Sequence, residues 1–228
     1  MKKDQHTLYA LMQAEEKASY LFEEIHDRGL IRAGITEKEL NTEIYDLALE
    51  LFGIRKYWHK RIVRAGENTL HPYHENPPDL SITEDDILFL DFGPIFDEWE
   101  ADFGRTYVLG DDPRKLKLQA DIMEAWDRGK AFFEAHQAKI TGADLYQFVC
   151  QLAEEYGWTF GNEHCGHLIG HFPHERIDPE KKKNYLCTEN DLLLKPSDPG
   201  IEEPYWILEI HFIDPERKIG GFTEQLLG

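Results

Sequence analysis

The sequence predicts an α+β fold made of two similar halves, and three observations carry that expectation. Long stretches with apolar residues at helical spacing alternate with short runs rich in β-branched and aromatic residues. Ile35-Thr36 with Leu40 opens a helix-like segment that closes at Gly53; Ile140-Thr141 with Leu145 opens one that closes at Gly157. Each half then ends in a hairpin-like run that sets two carboxylates into otherwise apolar strands. The helix pairs alone leave a second reading open, a chance likeness of two capped amphipathic helices.

In chain order, Leu8, Leu11, Ala14, Ala18, Leu21, Phe22 and Ile25 mark a helix from Thr7 to about His26, with Gly29 placed to end it. Thr36-Glu37-Lys38-Glu39 reads as a capping box, its hydroxyl and carboxylate satisfying the free amides of a helix that runs to about Phe52. Ile62 and Val63, then Ile87 to Phe92 and Trp99 to Leu109, read as strands, separated by the turn-rich Asn76-Pro77-Pro78-Asp79. After Asp111-Asp112-Pro113 the order repeats: a helix from about Arg114 to His136, a capping signal at Thr141-Gly142-Ala143-Asp144, and a helix to Tyr156. The expected organisation is one domain over 1–228, half 1 covering about 1–112 and half 2 about 113–228.

Composition narrows the function classes. A net charge of −19 on 228 residues argues against a nucleic-acid partner, which asks for a basic footprint. The N-terminal stretch has no uninterrupted apolar run and no small-residue cleavage site, so no signal peptide is expected, and no segment is long and apolar enough to span a membrane. Cys150, Cys165 and Cys187 are odd in number and lack CxxC spacing, which points to reduced thiols and a cytoplasmic location.

The chemistry-bearing residues fall in three places. A turn around Phe96 and Asp97 would set Asp91 directly opposite Asp102 on one face of a hairpin, and a turn centred between Glu216 and Arg217 would do the same for Glu209 and Glu224. Facing carboxylates among Ile, Leu, Phe and Trp repel unless they take up protons or hold a cation, and a pair of divalent ions resolves both hairpins at once. The competing account is a bulge that turns one partner of each pair to solvent. Between the hairpins lies Glu163-His164-Cys165-Gly166-His167-Leu168-Ile169-Gly170-His171-Phe172-Pro173-His174-Glu175, whose Gly and Pro content predicts a turn-bearing strand rather than a helix.

Asp91-Phe-Gly, Asp102-Phe-Gly-Arg105-Thr106, Cys165-Gly-His167-x-Ile-Gly-x-x-x-His174-Glu175, Glu209 and Glu224, in that order and spacing, resemble the pita-bread-fold metallopeptidases. That family includes the methionine aminopeptidases, aminopeptidase P, prolidase and creatinase, and the resemblance covers nearly the whole chain. It implies a pita-bread fold, two pseudo-symmetric halves each with two helices on a curved antiparallel sheet. It also implies two divalent metal ions (Mn, Co, Fe or Zn): Asp91 chelating one, Asp102 and Glu224 bridging, His167 and Glu209 completing the other's shell. By the same resemblance a metal-bridging hydroxide attacks the peptide, Glu209 handles the proton, and His174 donates to the developing oxyanion. His171 is assigned to the substrate pocket. The family's usual histidine ahead of the first aspartate falls here on Tyr73, so His71 or His74 is expected to contact the substrate, with His74 preferred. The proline that usually follows the fourth ligand is Ile210; Glu202-Glu203-Pro204 mimics that motif but reads as loop.

The Asp102-x-x-Arg105-Thr106 form is more similar to the Xaa-Pro peptidases than to the methionine aminopeptidases. Those relatives generally carry an N-terminal domain, which is not expected here because the first helix starts almost at Met1. The expected activity is therefore that of an aminopeptidase or Xaa-Pro peptidase on short peptides, with a homodimer implied by resemblance alone. Three rivals stand beside it: a creatinase-like hydrolase of a non-peptide C–N bond, a pita-bread protein that only binds, and a mononuclear zinc site of His164, His167 and His171.

Overall fold

The computed structural model describes residues 3–173, 182–196 and 203–228, and the statements below concern these. Helix α1 (Lys3–Asp27) and α2 (Glu37–Phe52) come first, then β1 (Ile62–Ala65), a 3-10 turn (Gly66–Leu70), β2 (Asp86–Phe92), β3 (Ile95–Phe96), β4 (Trp99–Glu100) and β5 (Phe103–Leu109). The second half has α3 (Pro113–His136), α4 (Gly142–Tyr156), β6 (Thr159–Phe160), β7 (Leu168–Ile169), β8 (Tyr205–Asp214) and β9 (Ile219–Leu226).

The helix signals act where the residues put them. Thr36 and Glu39 form a reciprocal capping box at the start of α2, Thr141 and Asp144 form one at α4, and Gly53 and Gly157 close the two helices in the left-handed conformation. Alternation then sorts the strands. Leu88, Leu90 and Phe92 turn to α1 and α2, whereas Leu208, Ile210 and Phe212 turn to α3 and α4, so each helix pair closes its own apolar core against one part of the sheet. The opposite face is left to the odd-numbered residues Phe89, Asp91, Glu209 and His211.

The main sheet runs β1-β2-β5-β9-β8-β6, with β7 alongside β8, and its described pairings are antiparallel. The two half-sheets join where Gly104 of β5 meets Glu224 of β9. A side chain at Gly104 would stand 2.7 Å from the Phe222 ring and 3.1 Å from Glu224 Cγ, so the missing Cβ lets the halves approach. Thr106 Oγ1 donates to the Phe222 carbonyl and accepts from its amide, holding the next step of the join.

Three expectations need correction. The first hairpin turns at Asp97 and Glu98, both with positive φ, as a two-residue primed turn requires, rather than at Phe96 and Asp97. Asp91 therefore pairs with Gly104, and Asp102 lies two positions earlier in the partner segment, a diagonal rather than a direct neighbour. The run from Trp99 to Leu109 is not one strand, because Ala101 and Asp102 leave the ladder between β4 and β5. The histidine segment is non-helical over its described residues, as expected: Leu168 and Ile169 pair with β8, and His167 and His171 form bridges to Tyr185 and Trp99.

Candidate metal centre

One register line builds most of the site. Asp91 on β2 pairs with Gly104 on β5, Gly104 pairs with Glu224 on β9, and Glu224 pairs with Glu209 on β8. The second hairpin thus turns where the sequence places it, with the two glutamates directly opposite. Adjacent strands stand about 4.8 Å apart, so three carboxylates share one row and the glycine between Asp91 and Glu224 leaves that space open.

Two further groups enter from outside the row. Asp102 arrives from the break before β5, and His167 precedes β7, held alongside β8 because Ile207 N donates to its carbonyl and Glu209 N donates to that of Cys165. Gly166 permits this approach: its φ of 143° and a hypothetical Cβ only 1.9 Å from the Ile207 carbonyl oxygen exclude any other residue. His167 Nε2 lies 3.1 Å from Asp102 Oδ2 and 3.5 Å from Glu209 Oε1, while its Nδ1 faces the Leu168 carbonyl at 2.8 Å. Asp91, Asp102, His167, Glu209 and Glu224 are all buried.

His59, which sequence reasoning missed, completes the group. Its Nε2 is 3.0 Å from Asp102 Oδ1 and 3.5 Å from Asp91 Oδ1. Trp58 beside it covers both imidazoles edge-on, with ring centroids 4.4 Å from His59 and 5.3 Å from His167. Gly93 of the Asp91-Phe-Gly motif makes room, since a Cβ there would meet the His59 ring at 2.2 Å and Trp58 Nε1 at 2.4 Å. No spacing in the sequence ties Trp58-His59 to Asp91; the link is the pairing of Ile62 with Asp91.

Among the described residues, the other histidines that the sequence suggested each have a carboxylate beside them. His71 is paired with Glu75 at 2.5 Å, and His74 is exposed with its ring 4.0 Å from the same carboxylate. His171 is more than half exposed, edge-on to Trp99 and 3.8 Å from Glu98, so His164, His167 and His171 do not converge as a three-histidine zinc site would require. His164 is nearer, 3.7 Å from Glu209 Oε2. His174 falls outside the described residues, as does Glu202, whereas Glu203 is in an ion pair with Lys195. Tyr73, at the position where a histidine was expected, stands 5.7 Å from the His59 ring with its hydroxyl accepting from Lys60 N. Two surface clefts of about 400 and 380 Å³ lie elsewhere, against α3 and α4 and beside the first hairpin, and contain none of the site carboxylates.

The electrostatics ask for cations. Burial pushes the carboxyl of Asp91 up to about 6, that of Glu209 up to about 8 and that of Glu224 well above the usual range, with repulsion among the acids adding to the effect. At Asp102 burial acts the same way, but His59 and His167 outweigh it and hold the carboxyl below its ordinary value. Both imidazoles, despite burial, are raised to about 9 by Asp102 and the neighbouring acids. Asp91 Oδ1 and Glu224 Oε1 are buried without a hydrogen-bond partner, a costly state in apolar surroundings. Ligand atoms of His59, Asp91 and Asp102 lie within 4.8 Å of one another, as do those of Asp102, His167 and Glu224. Two overlapping sets of oxygen and imidazole donors sharing Asp102, with orphaned carboxylate oxygens between them, fit a pair of divalent ions.

Fold and site together define a pita-bread protein whose sheet carries a carboxylate and histidine centre at the join of its halves. The chain belongs to metallopeptidase family M24, whose profile matches residues 10–204. It is 28% identical over 183 residues to an Xaa-Pro dipeptidase of Lactobacillus helveticus, covering 76% of this chain and 46% of the relative. A solved dipeptidase from Pyrococcus horikoshii superposes with a TM-score of 0.75 at 26% identity, covering 97% of this chain and 57% of that one. A methionine aminopeptidase from Rickettsia prowazekii shares the fold at a TM-score of 0.71 and 16% identity, over 99% and 93% of the respective chains. The chain spans about half the length of the curated relatives it matches.

Proposed function

We propose that this chain is the catalytic unit of a metal-dependent peptidase of the Xaa-Pro dipeptidase and aminopeptidase type, acting on short peptides. The observation that carries the reading is the row Asp91, Gly104, Glu224 and Glu209, closed by Asp102 and His167, in which two buried carboxylate oxygens have no hydrogen-bond partner among the described residues. In this reading Asp91, Asp102, His167, Glu209 and Glu224 hold two divalent ions, of Mn, Co, Fe or Zn. Bound there, the ions would supply an acidified water and polarise the scissile carbonyl. Glu209, buried beside the place of the ions, is the proposed group that takes the proton of the attacking water and passes it to the departing amine. Trp58 shields one side of the centre from water. His174, outside the described residues, is the proposed oxyanion donor. The Xaa-Pro relatives favour peptides with proline in the second position. The three cysteines are free, which supports a proposed cytoplasmic location. No helix among the described residues is long and apolar enough to cross a membrane.

The test is a peptide panel with Met, Leu and Xaa-Pro N-termini, assayed under Mn²⁺ and Co²⁺ alongside metal analysis. Up to two ions per chain and cleavage of the Xaa-Pro members are expected. Asp102→Ala and Glu224→Ala should each lose metal and activity together. Metal retained in both variants would sink the shared-carboxylate arrangement, and bound metal without any cleavage would shift the function away from peptide hydrolysis.

A further inference from the structure

We propose that His59 is a sixth protein ligand of the centre, binding through Nε2 the ion shared by Asp91 and Asp102; the inference rests on the metal-centre reading above. His59 is aimed and held as ligating histidines are. Its Nδ1 donates to the Lys60 carbonyl oxygen at 2.7 Å, which orients the ring and leaves Nε2 as the atom facing Asp91 and Asp102. Without an ion, Nε2 bonds Asp102 Oδ1 at 3.0 Å through a proton and stands 3.5 Å from Asp91 Oδ1; a divalent ion that displaces this proton would stand among the same three atoms. Those separations match a coordination shell, because neighbouring donors about 2.1 Å from a common octahedral ion stand about 3 Å apart.

The backbone is built to keep the ring there. Trp58 N donates to the Gly93 carbonyl at 2.9 Å, Trp58 Nε1 donates to that of Ala101 at 2.9 Å, and Tyr57 bridges Pro94, so the chain on either side of Asp91 and Asp102 grips the residues before His59. Gly93 leaves the volume the imidazole fills. The His59 side chain is only 7% exposed, which removes a solvated surface role. With His59 the two ions receive one imidazole each, from opposite halves of the molecule. An added nitrogen donor in place of a water or carboxylate oxygen moves preference away from manganese and towards cobalt, iron or zinc.

The experiment loads wild type, His59→Ala and His59→Asn with zinc, measures stoichiometry and affinity by equilibrium dialysis, and counts imidazoles per zinc by X-ray absorption. The asparagine variant keeps a donor for the Lys60 carbonyl while deleting Nε2, and far-UV circular dichroism verifies that each variant is folded. Wild type should bind two ions with one imidazole per zinc on average; the variants should fall to half that value, with at least tenfold weaker binding of one ion. Wild-type affinity and imidazole count in a folded His59 variant would overturn the proposal while leaving the five-ligand centre standing. A wild-type protein that binds no zinc, manganese or cobalt would overturn the metal-centre reading itself, and this proposal with it.

Discussion

At the scale of single residues, the site works through what is absent as much as what is present. Gly93 and Gly104 supply space, one for the His59 and Trp58 rings and one for the approach of Glu224 to its neighbours. Gly93→Ala would force both rings from their positions, and overpacking of this kind costs about 1–3 kcal/mol. The expected result is a urea midpoint lowered accordingly and weaker metal binding; an unchanged midpoint would show that the rings move aside freely. The acids make a second prediction. Burial raises the carboxyl of Glu209 to about 8 and that of Asp91 to about 6, and the acids, against burial, raise the His167 imidazole to about 9, so protons sit on Glu209 and His167 near neutrality and on Asp91 towards pH 6, and an arriving ion must displace them. Divalent-ion affinity should therefore rise as pH goes from 6 to 8, with proton release visible when calorimetric titrations are repeated in buffers of different ionisation enthalpy. A pH-independent affinity would mean the carboxyls are already ionised before metal arrives. The residue types were legible in the sequence; His59 was not, because nothing in its neighbours marks a ligand and it reaches Asp91 only through strand pairing.

At the scale of elements, local chemistry and tertiary contacts divide the work. Both capping boxes and both glycine stops are readable from three or four residues, since the groups they satisfy are their own helix amides. Thr141→Ala should lower stability by about 1 kcal/mol in urea unfolding without altering metal stoichiometry, as α4 lies on the sheet face away from the centre. A change in stoichiometry would reveal coupling that this geometry does not contain. The hairpins behave differently from one another. The second turns where symmetry about Glu216 and Arg217 places it, whereas the first slips by one residue because Asp97 and Glu98 take the positive φ values of a primed turn without a glycine to announce it. A shift of one residue in the turn changes Asp91 from the direct to the diagonal neighbour of Asp102, yet keeps both on one face, since the partner moves by two.

At the scale of the whole molecule, the two halves are tied across their join by the Gly104 and Glu224 bridge and by α1, which reaches from the first half to the end of β9. Glu15 of α1 accepts from Leu226 N, and burial pushes its carboxyl from 4.5 up to about 7. A raised carboxyl favours the folded state fully below its unfolded pKa, and that contribution is lost as pH rises through the folded value, here between about 4.5 and 7. Glu15→Gln should therefore be more stable than the wild type at pH 8 by an amount on the order of 1–3 kcal/mol, with the difference shrinking towards pH 4.5. Denaturant melts across that range measure it, and equal curves at every pH would remove Glu15 from the account. The sequence by itself determined the α+β class, the four helices with the capping boxes of the second and fourth, the carboxylates of both hairpins and the family resemblance, because these rest on periodicity, short-range hydrogen bonding and motif spacing. Only the tertiary structure decided that Asp91, Glu224 and Glu209 share one row across the sheet, that His59 stands beside Asp91 and Asp102, and that His71 and His74 lie beside Glu75. Those outcomes depend on register between strands far apart in the chain, and register is set by how whole faces pack rather than by any residue's neighbours in sequence.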